Sequence, residues 1–450
     1  MVWIQPMGRS WCTKTFLVFI TAVILSATAA GENFVIDGVY EAALDLPRIL
    51  FLLKEDANGP PLDYEGNFEL NWAFLDTGAS GLLLSRETAE ALEISLESGA
   101  QYVDVGIGGD EFFNVSEPLY LGTVAYDDPD PYDPNRYIMN PQWRFQVSRE
   151  YADDPIDLLG IPAMAGKVVV LDPTKLSTLE DYFIADIREP NDPVIPAVDI
   201  NVPLRFERYI TPENPNNVPP LPVLAYNPLI PRIRAEYDGA VSEGDWLFDT
   251  GGMISLCSYE QAVNLGLMDE YGNPLVPVDF VVPIGGIGGE VELPGFQIDR
   301  LSVPTLNGYD IVFENARICV HDIGIIDSSG RQIIVDGVFG SNFLCPSMNL
   351  ETWDISDTPF NRIVIDMRRG ILSFDVRPEY TLPPDNPRPP FATGDINRDW
   401  SIDFDDLHIF AMEWLSSCDW LNFNCRGADT NLDHTVNMVD YAQIAENMFE

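Results

Sequence analysis

The chain has 450 residues, 46% of them hydrophobic, with 36 prolines, a mean hydropathy of −0.01, and 71 Asp plus Glu against 25 Lys plus Arg. A formal charge of −46 would repel a phosphate backbone over most of the surface, which excludes nucleic acid as a general partner. The apolar share and the length fit two or three folded domains and exclude a disordered acidic tail.

In chain order, residues 1–30 are organised as an export signal. Arg9 and Lys14 precede the apolar run of residues 16–25, and Ala27-Thr28-Ala29 supplies a small-residue cleavage site. The run is too short to cross a bilayer as a helix, and no later stretch reaches ~20 apolar residues. The mature chain is therefore expected to be secreted or extracytoplasmic, in a periplasm or at a cell surface, with no transmembrane segment. No basic prosegment follows the signal, unless residues 31–47 fill that role. Cleavage removes Cys12 and leaves five cysteines for an oxidising compartment. Cys418 and Cys425 are expected to pair, Cys319 with Cys345 is a candidate second bridge, and Cys257 is the odd thiol.

The body, residues 31–377, shows short β-type runs at 49–53, 72–75, 167–171 and 363–365 with few helical stretches, so the expected class is mainly β. Its informative feature is an internal repeat. Phe74-Leu75-Asp76-Thr77-Gly78 recurs as Leu247-Phe248-Asp249-Thr250-Gly251, an offset of 173. The same offset aligns Ser85, Glu87, Ala89, Leu92 and Ile94 with Ser258, Glu260, Ala262, Leu265 and Leu267, so each turn should lead into a short Ser-capped helix. Further on, Gly106-Ile107-Gly108-Gly109 recurs as Gly286-Ile287-Gly288-Gly289, and Leu158-Leu159-Gly160 as Val338-Phe339-Gly340, both offset by 180. Four landmarks in one order describe two homologous lobes.

Two Asp-Thr-Gly turns in two β lobes resemble the pepsin-type, two-lobed aspartic peptidases, over roughly residues 45–377. The resemblance implies an N-terminal β lobe at residues 31–190, a C-terminal β lobe at 191–377, a cleft between them, peptide or protein substrates, and no cofactor for catalysis. It implies Asp76 and Asp249 as the catalytic pair, sharing one proton because two adjacent carboxylates cannot both ionise cheaply. Gly78 and Gly251 would let the backbone approach the carboxyls, and Thr77 and Thr250 would hydrogen-bond across the lobes. Ala79 and Gly252 stand where the commonest pepsin pattern carries a hydroxyl, closer to the retroviral-type Asp-Thr-Gly-Ala; fewer hydrogen bonds to the pair imply an optimum less acidic than pepsin's. Gly106 and Gly108 resemble a glycine-rich flap tip, with Tyr102 as the candidate flap tyrosine. The second Gly-rich turn is expected to be an ordinary hairpin.

Other chemistries lack their motifs. His321, His408 and His434 form no zinc pattern, and there is no Gly-x-Ser-x-Gly elbow. The alternatives to an endopeptidase are a non-catalytic pepsin-fold binding or scaffold protein, and a maturation peptidase acting only on partner proteins.

Six prolines crowd residues 378–392, which read as a stiff, extended linker. Beyond it, Asp395, Asn397, Asp399, Ser401, Asp403 and Asp406 occupy ligand positions 1, 3, 5, 7, 9 and 12 of an EF-hand-type loop. The pattern recurs 34 residues later as Asp429, Asn431, Asp433, Thr435, Asn437 and Asp440. Two Ca2+ ions are the expected cofactors. Trp400 and His434 replace the usual glycine at position 6. Leu407, Phe410, Ala411, Trp414 and Leu415, then Tyr441, Ile444, Ala445, Met448 and Phe449, describe an amphipathic helix after each loop. Two loop-helix units resemble type I dockerin domains over residues 393–450, a small EF-hand-like helical module, and the resemblance implies a cohesin-type protein partner; the alternative is a calcium-folded cap or a cell-surface retention module without such a partner. These residues carry 12 acids and 2 bases, so the calcium loops account for little of the acid surplus.

Overall fold

The computed structural model describes residues 32–63, 70–152, 155–210, 226–327 and 332–448; the expected export signal lies outside them. No described helix is long and apolar enough to cross a membrane. The chain is mainly β, as its sequence predicts. Most strands belong to two sheets, one of 13 strands and one of 14. Arg48–Lys54 shows why: its apolar run is buried from end to end except at the termini, as in a strand covered on both faces. A common core containing Phe51, Trp246, Phe313, Phe339 and Phe374 runs through both sheets. Burying each such side chain stabilises the fold by roughly 2–3 kcal/mol.

The two halves exchange strands. Phe360–Asp366 of the second half runs antiparallel to Val168–Asp172 of the first, and Ile371–Val376 and Ile200–Pro203 extend that sheet. In return, Phe34–Asp37 runs parallel to Asp310–Glu314 in the sheet of the second half. Ala42–Ala43 pairs with Ser347–Met348. The segment considered as a prosegment is thus, over its described residues, part of the second half's framework.

The Pro-rich stretch differs from a free tether. Its backbone is fastened to the body by Asn386 N–H donating to Asn307 O (2.8 Å) and Arg388 N–H to Leu306 O (3.1 Å). Arg388 also pairs with Asp310 at 2.6 Å. The C-terminal module then packs against the body. Phe423 stacks on Phe206 with ring centroids 3.8 Å apart, Trp420 lies on Gly166, and the buried Arg426 pairs with Glu207 at 2.5 Å. Arg398 donates to the carbonyls of Leu204, Arg369 and Gly370. Trp400 sits between Arg388, 4.7 Å from its ring, and Phe391, 4.8 Å away. Docking therefore gives a reason for an arginine and a tryptophan in a loop where short residues are usual.

Cys418 and Cys425 form a disulfide, as the sequence led us to expect. Cys319 and Cys345 do not: they are free, buried and belong to different apolar clusters. Cys257 is free and buried as well. The first helix of the module, Phe404–Met412, also ends earlier than its apolar pattern suggests. Leu415 turns into the left-handed region at φ 63° and points outward with 68% exposure, and Trp414 is 40% exposed, while Ile409 takes the core position. Phe449 lies outside the described residues.

Candidate active site

The strand Asn71–Leu75 ends at Asp76, and Ala240–Phe248 ends at Asp249. Each has a parallel partner from the later landmark of its own half: Leu158–Leu159 beside Phe74 and Leu75, Gly337–Phe339 beside residues 246–248. Asp76 N–H donates to Leu159 O, and Asp249 N–H to Phe339 O, both at 3.0 Å. The residues after the partner strands hold the turns themselves, with Ile161 N–H on Ala79 O (2.9 Å) and Ser341 N–H on Gly252 O (2.8 Å). The helices Arg86–Ala91 and Tyr259–Asn264 follow, capped by Ser85 and Ser258.

These duplicated frames bring the two aspartates together. Their carboxyls hydrogen-bond to each other. Asp76 Oδ1 accepts from the N–H groups of Gly78 (2.7 Å) and Ala79 (3.0 Å), and Asp249 Oδ1 from those of Gly251 (2.9 Å) and Gly252 (3.0 Å). Each glycine packs against the opposite carboxyl. A Cβ at Gly78 would fall 2.6 Å from Asp249 Cγ, and one at Gly251 2.3 Å from Asp76 Cγ, so a side chain at either site would push the pair apart.

Beneath them, the buried threonines cross over. Thr77 N–H donates to Thr250 Oγ1 (3.1 Å) and Thr250 N–H to Thr77 Oγ1 (3.0 Å). Each hydroxyl donates onward at 2.6 Å to a carbonyl of the other half, Phe248 O or Leu75 O. Asn227, which the repeat pattern does not single out, adds a further tie: its amide donates to Gly78 O (2.8 Å) and it accepts from Ser80 Oγ (2.7 Å).

Burial raises the pKa of both carboxyls, and the neighbouring Asp76 charge drives that of Asp249 well above its ordinary value. The pair thus keeps one proton where an exposed aspartate, with a pKa of about 3.9, has lost it. Chemistry that needs one protonated and one ionised carboxyl is lost as pH rises through the raised pKa of Asp249. The expected pH–rate profile has its maximum well above pH 2. A maximum near pH 2 would contradict this reading.

The pair lies on the floor of a cavity of about 600 Å3 whose walls are mostly apolar, including Phe74, Leu83, Leu158, Leu247 and Val338. Two hairpins roof it. Leu96–Gly106 with Gly109–Ser116 carries Gly106 and Gly108 at its tip, and Phe280–Gly286 with Gly289–Gln297 is its counterpart. Contrary to expectation, the second hairpin is not an ordinary one. The tips meet, Gly108 N–H donating to Ile287 O at 3.0 Å and Gly288 N–H to Glu111 Oε2 at 3.2 Å. Ile107 and Ile287 both line the cavity. Tyr102 is buried on the first hairpin and faces the same cavity.

The acidic loops of the C-terminal module repeat each other in their backbone hydrogen bonds. Asp406 and Asp440 are fully buried and each accepts three backbone N–H groups: from Ile396, Asn397 and Asp403, and from Thr430, Asn431 and Asn437. Asp395 and Asp429 each bind two N–H groups across their loops. Asp399, Asn397, Asp433 and Asn431 accept within the loops, while Asp403 and Asn437 cap the helices that follow. Ser401 and Thr435 take position 7. Trp400 and His434 are left-handed, at φ 66° and 71°, in the conformation that favours glycine. Oxygens of Asp429, Asp433 and Asp440 lie within 4.8 Å of one another, a spacing that suits a hard cation. Among the described residues, Asp395, Asp399 and Asp406 do not converge to that degree.

No family model and no curated protein matches the chain. Among solved structures it is similar to an aspartic proteinase from Irpex lacteus, at 13% identity and a TM-score of 0.40, covering 76% of this chain and 98% of that one. It is also similar to conglutin gamma, a basic 7S globulin from lupine seeds, at 11% identity and a TM-score of 0.34, covering 74% and 96%. Basic 7S globulin from soybean follows at 9% identity and a TM-score of 0.33, covering 73% and 95%.

Proposed function

We propose that the chain is an exported, pepsin-like aspartic endopeptidase whose C-terminal dockerin-like module binds two Ca2+ ions and docks a cohesin-type protein. The observation that carries the catalytic part is the meeting of Asp76 and Asp249, one from each half, on the floor of an apolar cavity closed by two hairpins. With one proton on the pair, the ionised carboxyl draws a proton from a water held between the two, and the water oxygen bonds to the scissile carbonyl carbon. The protonated carboxyl gives its hydrogen to the carbonyl oxygen, so the tetrahedral intermediate forms without a free oxyanion. Collapse breaks the C–N bond as the carboxyl that took the water proton gives it to the amine nitrogen, and one hydroxyl of the intermediate returns its proton to the other carboxyl, so the pair again holds a single proton. The apolar walls exclude competing water.

A tetrahedral mimic tests this reading. A peptide with a secondary alcohol in place of the scissile amide is expected to bind at least about 100-fold more tightly than the matched amide, because the alcohol sits where the intermediate would. Equal affinities would contradict it.

In the module, Asp429, Asn431, Asp433, the Thr435 carbonyl, Asn437 and Asp440 would hold one Ca2+. Asp395, Asn397, Asp399, the Ser401 carbonyl, Asp403 and Asp406 would hold the other. Bound Ca2+ supplies the positive charge that these crowded carboxylates lack. Calorimetry on the full chain is expected to give two equivalents of Ca2+, and one in Asp433→Asn; no uptake would reject the site. Phe404, Met438 and Val439, exposed by 81%, 62% and 54% at the starts of the two helices, support a protein partner.

A further inference from the structure

The two halves match in the turns that carry the aspartates and differ in the cavity wall. Asp104 and Gln146 both line the cavity, and Gln146 Nε2 donates to Asp104 Oδ2 at 2.6 Å. Asp104 stands two residues before the hairpin tip at Gly106; the same position before Gly286 is Ile284, which also lines the cavity. Gln146 pairs in parallel with Leu83, and the residue that pairs in the same way with the equivalent Leu256 is Cys319. A polar pair in the first half is therefore replaced by an apolar pair, Ile284 and Cys319, in the second.

Among the described residues, no cationic side chain pairs with Asp104. The groups that act on it are Gln146, the Val105 N–H at 2.9 Å, Asp76 and Glu111. Its two oxygens each accept one hydrogen bond and keep capacity for more. Burial, with Asp76 and Glu111 nearby, raises its pKa, and its two neutral donors offset only part of the cost of a buried charge. A positively charged side chain reaching in from the cleft would supply the countercharge that favours the ionised form, and the acid surplus of the chain draws cationic peptides toward it.

Resting on the peptide-cleft reading above, we propose that Asp104, steadied by Gln146, is a specificity-determining residue that selects a lysine or arginine side chain of the substrate on the first-hairpin side. The equivalent site by Ile284 takes an apolar side chain. The cleft is thus polar at one end and apolar at the other, which fixes the direction in which a peptide lies.

The test uses uncleavable peptides carrying the secondary alcohol, with lysine or norleucine placed in turn at each flanking position. Affinities are measured on the full chain, on Asp104→Asn and on Asp104→Ile, which copies the opposite half. One position is expected to favour lysine by at least about 10-fold, the scale of one charge-assisted hydrogen bond. Asp104→Asn should remove that preference and Asp104→Ile should reverse it, with thermal melts confirming that both fold. Norleucine preferred at every position, or a lysine preference that survives Asp104→Asn, would overturn the proposal. Binding without any cleavage of the matched amides would overturn the catalytic reading alone. No binding of any peptide would overturn both.

Discussion

Replacing Asp76 or Asp249 by Asn is expected to lower peptide cleavage by about 10^4-fold or more, the scale of losing one member of a catalytic unit. Asn keeps the size of the side chain and an oxygen for the turn N–H groups, at Gly78 and Ala79 or at Gly251 and Gly252. It cannot ionise or share a proton, so neither water activation nor proton delivery survives. Stability should fall over the same pH range. Because burial raises the folded pKa of Asp249, the protonated form is the one the fold favours. That stabilisation is fully present below the unfolded pKa of about 3.9 and is lost as pH rises through the folded value. Asp249→Asn removes this dependence, so thermal melts of the variant should change less between pH 4 and 8 than those of the parent. Retained cleavage, or a collapsed fold in both Asn variants, would contradict the assignment.

The second large effect is expected at the crossed threonines. Thr77→Ala removes a hydroxyl that accepts from Thr250 N–H and donates to Phe248 O, leaving two buried groups without their partner. At about 1–3 kcal/mol for each such group, the loss of stability should be about 3 kcal/mol. Turnover should fall by at least about 10-fold, because the turns that aim the carboxyls are joined through this link. Thr77→Ser keeps both hydrogen bonds and should recover most of the loss. Chemical unfolding and kcat for the two variants separate the cases; equal effects of Ala and Ser would show that the methyl group, not the hydroxyl, matters.

How far the sequence reveals these features depends on whether a feature is repeated. Asp76, Asp249 and the partners Leu159 and Phe339 come in pairs at fixed offsets, so the duplicated frame is legible without coordinates. Asn227 and Asp104 have no matching partner in the other half, and only the folded cleft shows what they touch. The meeting of the hairpin tips depends on the angle between the halves, which no local pattern encodes. Spacing could not decide the cysteines: Cys319 and Cys345 are both apolar core residues, in separate clusters. In the C-terminal module, Trp400 is visible as a departure from the loop pattern, whereas Arg398 does not stand out. The reason for both lies in the body and the Pro-rich stretch they grip. The prolines of residues 378–392 do not reveal the attachment of that stretch to Leu306 and Asn307.

The most direct test is to incubate the full chain with a mixed peptide library from pH 2 to 8 beside Asp76→Asn, and to identify products by mass spectrometry. The account predicts new peptide termini from the parent chain alone, most abundant well above pH 2 and absent from the variant. Equal cleavage by both proteins, or none by either at any pH, would contradict it.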